Sequence, residues 1–343
     1  GAAFRGYGAP ETEFPSEVLM DELAEKLGMD PLDFRLKNTG RNGDISPLNG
    51  KPVATLGISD CLEEGRKKFR WDERKAACKA FNEEAVRTGS PLRRGVGVSA
   101  FSYGSGTYPA NVEPGSARLI LNQDGTVNLM TGATEIGQGA DTAFAQMVSE
   151  TLGVAYENIH VISTQDTDIT PFGTSAYASR QTYVAGFSIR QTGLLLKEKI
   201  LDYAGKLTRQ AVYNMDIADG SIVRTTDGKV LMSLSELAMH AQYNPNDSQH
   251  ITAESTYTIR NNAYSFGCTF AEVEVDIPMC KVTLKDIINV HDCGRLVNPA
   301  LAEAQVHGGM SMAIGYGLSE QLLFDEKTGR PLNKNLLDYK LST

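Results

Sequence analysis

The sequence predicts an α+β fold, with layered mixed and antiparallel sheets packed by helices. Three observations predict it. "NQDG" at Asn122–Gly125 is a hairpin signal between two short runs, Ser116–Leu121 and Thr126–Thr131. A second strand pair, Cys268–Val275 and Lys281–Val290, stands far along the chain. Around these runs lie stretches with the apolar period of helices. A doubly wound dinucleotide fold is not indicated. "GVGVSA" at Gly95–Ala100 lies inside a strand, no helix follows it, and no acidic residue stands at the distance a dinucleotide fingerprint requires.

The elements follow in chain order. Ser16–Leu27 reads as a helix, with Leu19, Leu23 and Leu27 on one face, Pro15 before it and Gly28 as a left-handed stop. Asp30-Pro31 caps a short helix through Asn38. "NTGRNGDISPLNGKP" reads as a connector. The predicted division is 1–50, the tail of a first domain plus connector, and 51–343, a second domain incomplete at its C-terminus. Ile58–Thr88 is a charged amphipathic helical stretch interrupted near Trp71, and Gly95–Tyr103 alternates like a strand. After the hairpin, Ala140–Leu152 is a helix stopped by Gly153, Asn158–Ser163 a strand and Tyr183–Tyr203 a long helix. A polar region precedes the second strand pair. Asn298-Pro299 then caps a helix rich in small residues, in which Gly308, Gly309, Gly315 and Gly317 imply close approach of a neighbour or ligand. The closing "LLDYKLST" reads as following a strand.

Composition narrows the function. The chain has 343 residues, 41% hydrophobic and 22% charged, ordinary for a globular protein with a large core. A formal net charge of −9 argues against nucleic acid as a partner. No apolar run reaches membrane-span length. The five cysteines (Cys61, Cys78, Cys268, Cys280, Cys293) form no CxxC pair, so neither a zinc site nor an iron–sulfur cluster is expected, and reduced thiols point to the cytoplasm. The opening "GAAFRGYGAPETEF" has no start Met, and the expectation is a piece of something longer.

Two loops could carry chemistry. "IGQGADT" (Ile136–Thr142) enters a helix, so free backbone N–H groups and the positive helix end would point outward together. Gly137 and Gly139 would let a ligand touch the main chain, and Gln138 offers donor and acceptor at the tip. A plain tight turn is the alternative. "TSAYASRQTYVAG" (Thr174–Gly186) gathers Ser175, Ser179, Arg180, Gln181 and Thr182 before the long helix. Helix capping needs one of these residues, and the excess favours hydrogen bonding to a phosphate or pterin. "AFRGYG" (Ala3–Gly8) sets an arginine and an aromatic among glycines, and Gln305 lies near the start of the small-residue helix.

"AFRGYGAPE", "GATEIGQGAD", "GTSAYASRQTY", "VHDCGRLVNPALAEAQVHGGM" and "NLLDYKLST", in this order, resemble the molybdopterin-binding subunit of the molybdenum hydroxylases, the xanthine dehydrogenase and aldehyde oxidoreductase family. The resemblance covers essentially the whole chain and looks strongest to the bacterial xanthine dehydrogenase subunits. It implies that Gly137, Gln138, Gly139 and Ala140, with Ser179, Arg180, Gln181 and Thr182, hold a molybdenum–molybdopterin cofactor. It places Arg5 beside the molybdenum centre and Gln305 near the pterin. Tyr7 matches a ring-packing aromatic that is usually phenylalanine in the family. The second substrate-facing segment maps onto Ser105–Pro109, where Gly106-Thr107 replaces the Phe-Thr pair of animal-type xanthine enzymes. One wall of an aromatic sandwich is therefore missing there, which keeps aldehydes and other N-heterocycles open beside purines.

The family reaction is hydroxylation at an electron-poor carbon with oxygen from water, with electrons leaving through 2Fe-2S clusters to FAD on other chains or domains. The general-base glutamate of the family sits in a Gly-Glu-Pro stretch that does not occur in this sequence and is expected beyond its C-terminus. The implied partners are the rest of the molybdenum subunit, iron–sulfur and FAD subunits, and a small heterocycle or aldehyde. A naturally split subunit and a noncatalytic binding or assembly module are the rival readings.

Overall fold

The computed structural model describes residues 4–342 apart from 46–49, 51, 54, 109, 163–165 and 262. It divides into two compact units, 1–103 with 264–343, and 104–263.

The first unit opens with α1 (Ala9–Lys26). This helix starts seven residues before the predicted Ser16, with Pro10 in its first turn and Pro15 inside it. Proline at the start of a helix lacks only an N–H that has no helical partner anyway, so the earlier proline sets the boundary. Gly28 does adopt the left-handed conformation (φ 64°). In α2 (Pro31–Asn38) the Asp30 carboxylate accepts from the Leu32 and Asp33 N–H groups at 2.8 and 3.3 Å. Burial raises the Asp30 pKa, but hydrogen bonds from Lys75, Trp71 and the backbone outweigh it and hold the carboxyl below its usual range. The buried Arg35 guanidinium bridges Glu17 (2.8 Å) and Asp21 (2.7 Å), tying α2 to α1.

The charged stretch is two helices, α3 (Ile58–Phe69) and α4 (Trp71–Thr88), broken at left-handed Arg70. They cover a sheet of β1 (Leu92–Ser105), β9 (Ala263–Asp276) and β10 (Lys281–Asp292), in the order β1-β9-β10. Phe69, Trp71 and Phe270 form the aromatic centre of this core, with ring centroids 5.5–6.4 Å apart. Helix α8 (Pro299–Leu318) is capped by the Asn298 side chain, as predicted. Residues 319–335, before "LLDYKLST", hold only an isolated bridge between Phe324 and Pro331, so the expected strand is absent among the described residues. After that bridge, the Asn335 side chain accepts from the Leu337 and Asp338 N–H groups, a local turn.

The second unit carries a four-stranded sheet in the order β4-β3-β2-β8. The predicted hairpin is β2 (Pro114–Leu121) and β3 (Val127–Thr131), with Leu121 opposite Val127. Its alternation sends Leu119, Leu121, Val127 and Leu129 into the core. Helix α5 (Ala140–Leu152) crosses over from β3 to β4 (Ile159–Ile162), which pairs parallel to β3. Ser163, the last residue of the predicted strand, lies outside the described residues. Helix α6 (Gln181–Thr208) lies against α5, β2 and β8 (Thr252–Thr258). The polar region is more ordered than its composition suggests. It holds a second sheet, β5 (Met215–Ala218), β6 (Ser221–Arg224) and β7 (Val230–Ser233), and then α7 (Leu234–Tyr243), started by a Ser233–Glu236 capping box. Met215, Ile217, Ile222, Leu234 and Leu237 join the core of the large sheet.

Candidate functional site

Topology brings the two chemistry-bearing loops of the second unit together. Because β3 and β4 are parallel, their C-terminal ends lie at one end of the sheet. From that end one loop leads into α5 and the other into α6. Gln138 and Gln181, 43 positions apart, meet there: Gln138 Nε2 donates to Gln181 Oε1 at 2.7 Å, and both side chains donate to the Thr134 carbonyl at 2.8 and 3.0 Å. Gln138 Oε1 also accepts from the Ile136 N–H at 2.7 Å. Both N–H bonds of the Gln138 amide are thereby committed to the fold, leaving it acceptor capacity only. Rather than standing at the loop tip, Gln138 braces one loop against the other.

The N-terminus of α5 differs from expectation in a second way. Its N–H groups do not point outward unpaired. Glu135 Oε1 accepts from Gly137 N (2.7 Å) and Gly139 N (3.1 Å), and Oε2 from Asp141 N (3.1 Å). Burial pushes the Glu135 pKa up, but these backbone donors together hold it below the usual range. The helix end is an anion site filled by the chain's own carboxylate. Gly137 (φ 96°) and Gly139 (φ 82°) are left-handed, so the turn itself requires them.

The N-terminus of α6 is the open one. Its N-cap, Arg180, makes no side-chain capping bond, so neither Ser179 nor Thr182 acts as the cap. Both hydroxyls are exposed. Three residues of the approach loop are left-handed without being glycine: Ser175 (φ 72°), Ala178 (φ 48°) and Ser179 (φ 52°). Each such residue costs about 1 kcal/mol or more, and strain of this kind collects at ligand sites. The Thr174 hydroxyl beside them is buried without a hydrogen-bond partner. First-turn N–H groups and two hydroxyls suit a ligand rich in acceptors, such as a phosphate or the edge of a pterin ring, with the Gln181 amide buried beneath them.

Arg180 itself turns inward and is 3% exposed. Its Nη2 donates to the Pro114 carbonyl (2.8 Å), its Nη1 to the Ser175 carbonyl (3.2 Å), and its Nε lies 3.5 Å from Glu113 Oε1. Burial draws its pKa down, opposed by Tyr177 and Glu113. Glu113 is fully buried and was not singled out from sequence; one acidic residue before Pro-Gly at a strand start is too weak a signal. Its Oε2 accepts from Thr107 N at 2.7 Å, while Gly106 N donates to the Ala178 carbonyl at 2.7 Å. Gly106 is left-handed (φ +83°), and a Cβ there would lie 2.5 Å from Glu113 Oε2, so the turn demands glycine. Thr107 is half-buried, and Pro109 lies outside the described residues.

In the first unit, Arg5 and Gln305 meet across 300 positions. Arg5 Nη2 donates to the Gln305 backbone carbonyl (2.7 Å) and to its Oε1 (2.9 Å). Phe4 packs edge-on against Tyr316, with centroids 4.8 Å apart, so the "AFRG" segment lies along α8. A Cβ at Gly308 would lie 2.8 Å from Arg5 Nη1, so the guanidinium passes close over that glycine. Tyr7 is 79% exposed and left-handed (φ 41°). Among the described residues no three His, Cys, Asp or Glu side chains gather as a metal site, and no helix is long and apolar enough to cross a membrane.

Two family models match, both described as molybdopterin cofactor-binding domain, over residues 1–39 and 64–343. A xanthine dehydrogenase molybdenum-binding subunit of Escherichia coli O157:H7 is 51% identical over 342 residues, covering 99% of this chain and 44% of that protein. An aldehyde oxidoreductase of Megalodesulfovibrio gigas is 32% identical over 323 residues, covering 93% of this chain and 32% of that protein. The crystal structure of quinoline 2-oxidoreductase from Pseudomonas putida 86 superposes with a TM-score of 0.82 at 26% identity, covering 99% of this chain and 44% of that one. The chain therefore spans less than half the length of these relatives.

Proposed function

Because the chain belongs to the molybdopterin cofactor-binding domain family of the molybdenum hydroxylases, we propose that it is part of a xanthine dehydrogenase-like enzyme that hydroxylates a purine or another N-heterocycle with oxygen from water. On this reading residues 1–50 are the tail of a first cofactor-binding domain plus its connector, and 51–343 belong to a second. The observation that carries the reading is the open, strained entry to α6, which offers helix-end N–H groups and the Ser179 and Thr182 hydroxyls beside the braced Gln138–Gln181 pair. The residues there fit a pterin with its phosphates. When bound, that cofactor supplies the molybdenum on which water-derived oxygen is transferred.

The chain's own residues hold and orient. Ser179, Gln181 and Thr182 take the cofactor's acceptors. Gln138, between Gly137 and Gly139–Ala140, keeps the neighbouring loop in register with them. Arg180 shapes the same loop from inside. Arg5 and Gln305 form a guanidinium–amide pair within the first unit that suits hydrogen bonding to the same class of ligand. Tyr7 in the first unit offers a flat apolar face to a ring, and Thr107 in the second offers a hydroxyl suited to a ring heteroatom. The general base, the 2Fe-2S clusters and the FAD come from outside these residues.

An aldehyde substrate is the second reading, favoured by the absence of an aromatic at Gly106 and by the 32% identity to an aldehyde oxidoreductase. The test is metal and pterin analysis of the full complex, followed by turnover of xanthine, quinoline and a simple aldehyde. About one molybdenum per chain with heterocycle turnover supports the proposal. Turnover of the aldehyde alone moves it to the second reading, and a complete protein without molybdenum makes it a noncatalytic module. The 343 residues alone are expected to bind no molybdenum and to be inactive; stoichiometric metal in them would overturn that expectation.

A further inference from the structure

The pair Glu113 and Arg180 has a role that neither loop explains alone. Both side chains are buried, at 0% and 3% exposure. Glu113 Oε1 and Arg180 Nε face one another at 3.5 Å, and neither atom has a hydrogen-bond partner. A buried carboxylate and guanidinium left short of contact carry a desolvation cost that closer pairing would offset. The other oxygen of the same carboxylate holds Thr107 N at 2.7 Å, and Gly106 N is held by the Ala178 carbonyl at 2.7 Å. Arg180 in turn binds the Ser175 carbonyl within the left-handed stretch 175–179. One carboxylate thus reaches two segments: the turn that carries Thr107 and, through Arg180, the loop that opens α6.

We propose that Glu113 is a positioning residue that ties the Gly106-Thr107 turn to the 175–180 loop, so that the conformation of the cofactor loop sets where Thr107 stands. This rests on the proposed assignment of the two segments to substrate and cofactor. Glu113 touches neither ligand. It acts through Thr107 and Arg180.

The test is hydrogen exchange and kinetics on the complete molybdenum enzyme, with xanthine as the probe substrate. Losing the buried bond to Thr107 in Glu113→Ala should speed amide exchange in 104–108 by about tenfold, with strands 117–121 and 127–131 unchanged. KM should rise by about fivefold or more while molybdenum per chain holds and kcat stays within about twofold. Glu113→Gln keeps an amide oxygen for Thr107 but removes the charge facing Arg180. It should leave 175–180 exchanging faster and, because Thr107 follows that loop, 104–108 and KM shifted in the same direction as in the alanine variant but by less. If the alanine variant does not fold, the glutamine variant decides alone: faster exchange in both 175–180 and 104–108 supports the tie, and a change confined to one segment, or none in either, overturns it. Loosening of 104–108 with an unmoved KM also overturns it. Absence of molybdenum from the wild-type enzyme would sink the proposed function, while the exchange pattern would still decide the tie.

Discussion

Replacing Glu135 tests the most concrete departure of the structure from the sequence reading. Its carboxylate accepts three backbone N–H groups at the start of α5, at 2.7, 3.1 and 3.1 Å. A helix N-cap contributes about 0.5–2 kcal/mol. A carboxylate at the positive helix end adds about 0.3–1 kcal/mol. The site is partly open to water, so the released N–H groups are resolvated and the full desolvation penalty does not apply. Glu135→Ala should therefore cost about 1–3 kcal/mol and lower the Tm of the transition by about 2–4 °C per kcal/mol. Glu135→Gln keeps the shape without the titration. The folded-state pKa of Glu135 lies below its unfolded value, so the charge stabilises the fold above the unfolded pKa of about 4.3 and that stabilisation is lost as pH falls through the folded value. The Tm gap between wild type and Glu135→Gln should be constant from about pH 6 to 8 and should close below about pH 4. Calorimetry across that range measures it. Equal Tm values at pH 7, or a gap that persists undiminished at pH 3, would refute the capping role.

Three further outcomes follow from the same geometry. Gly106→Ala places a methyl 2.5 Å from Glu113 Oε2 on a left-handed residue and should destabilise by about 2 kcal/mol or more, read by denaturant unfolding. Gln138→Ala removes the brace to Gln181 and Thr134; the complete enzyme should lose Tm, about 1–3 kcal/mol in stability, together with part of its molybdenum, and full metal content at an unchanged Tm would contradict both roles. Ellman's reagent at pH 8 should label exposed Cys280 quickly, Cys293 more slowly because partial burial and Asp292 push its thiol up, and spare buried Cys61, Cys78 and Cys268, the last of which burial pushes up to about 12.

Much of this protein was written in local sequence. The hairpin at Asn122–Gly125, the Asp30-Pro31 and Asn298-Pro299 helix starts and the Gly28 and Gly153 stops depend on residues within a turn of each other, so local propensity decides them. The loops that carry the candidate site were equally visible, because an excess of Gly, Ser, Gln and Arg before a helix has few structural uses. Tertiary structure decided what those loops do with their polar groups. Whether the N–H groups of 137–141 face solvent depends on which way Glu135 turns, and no spacing rule gives that. The meeting of Gln138 with Gln181 follows from the parallel pairing of β3 with β4, and that of Arg5 with Gln305 from packing across 300 positions. Glu113 shows the difference most sharply: in sequence it is one acid in a Pro-Gly turn, and it becomes the link between two loops only once folding removes it from water and leaves Thr107 N and Arg180 as its neighbours.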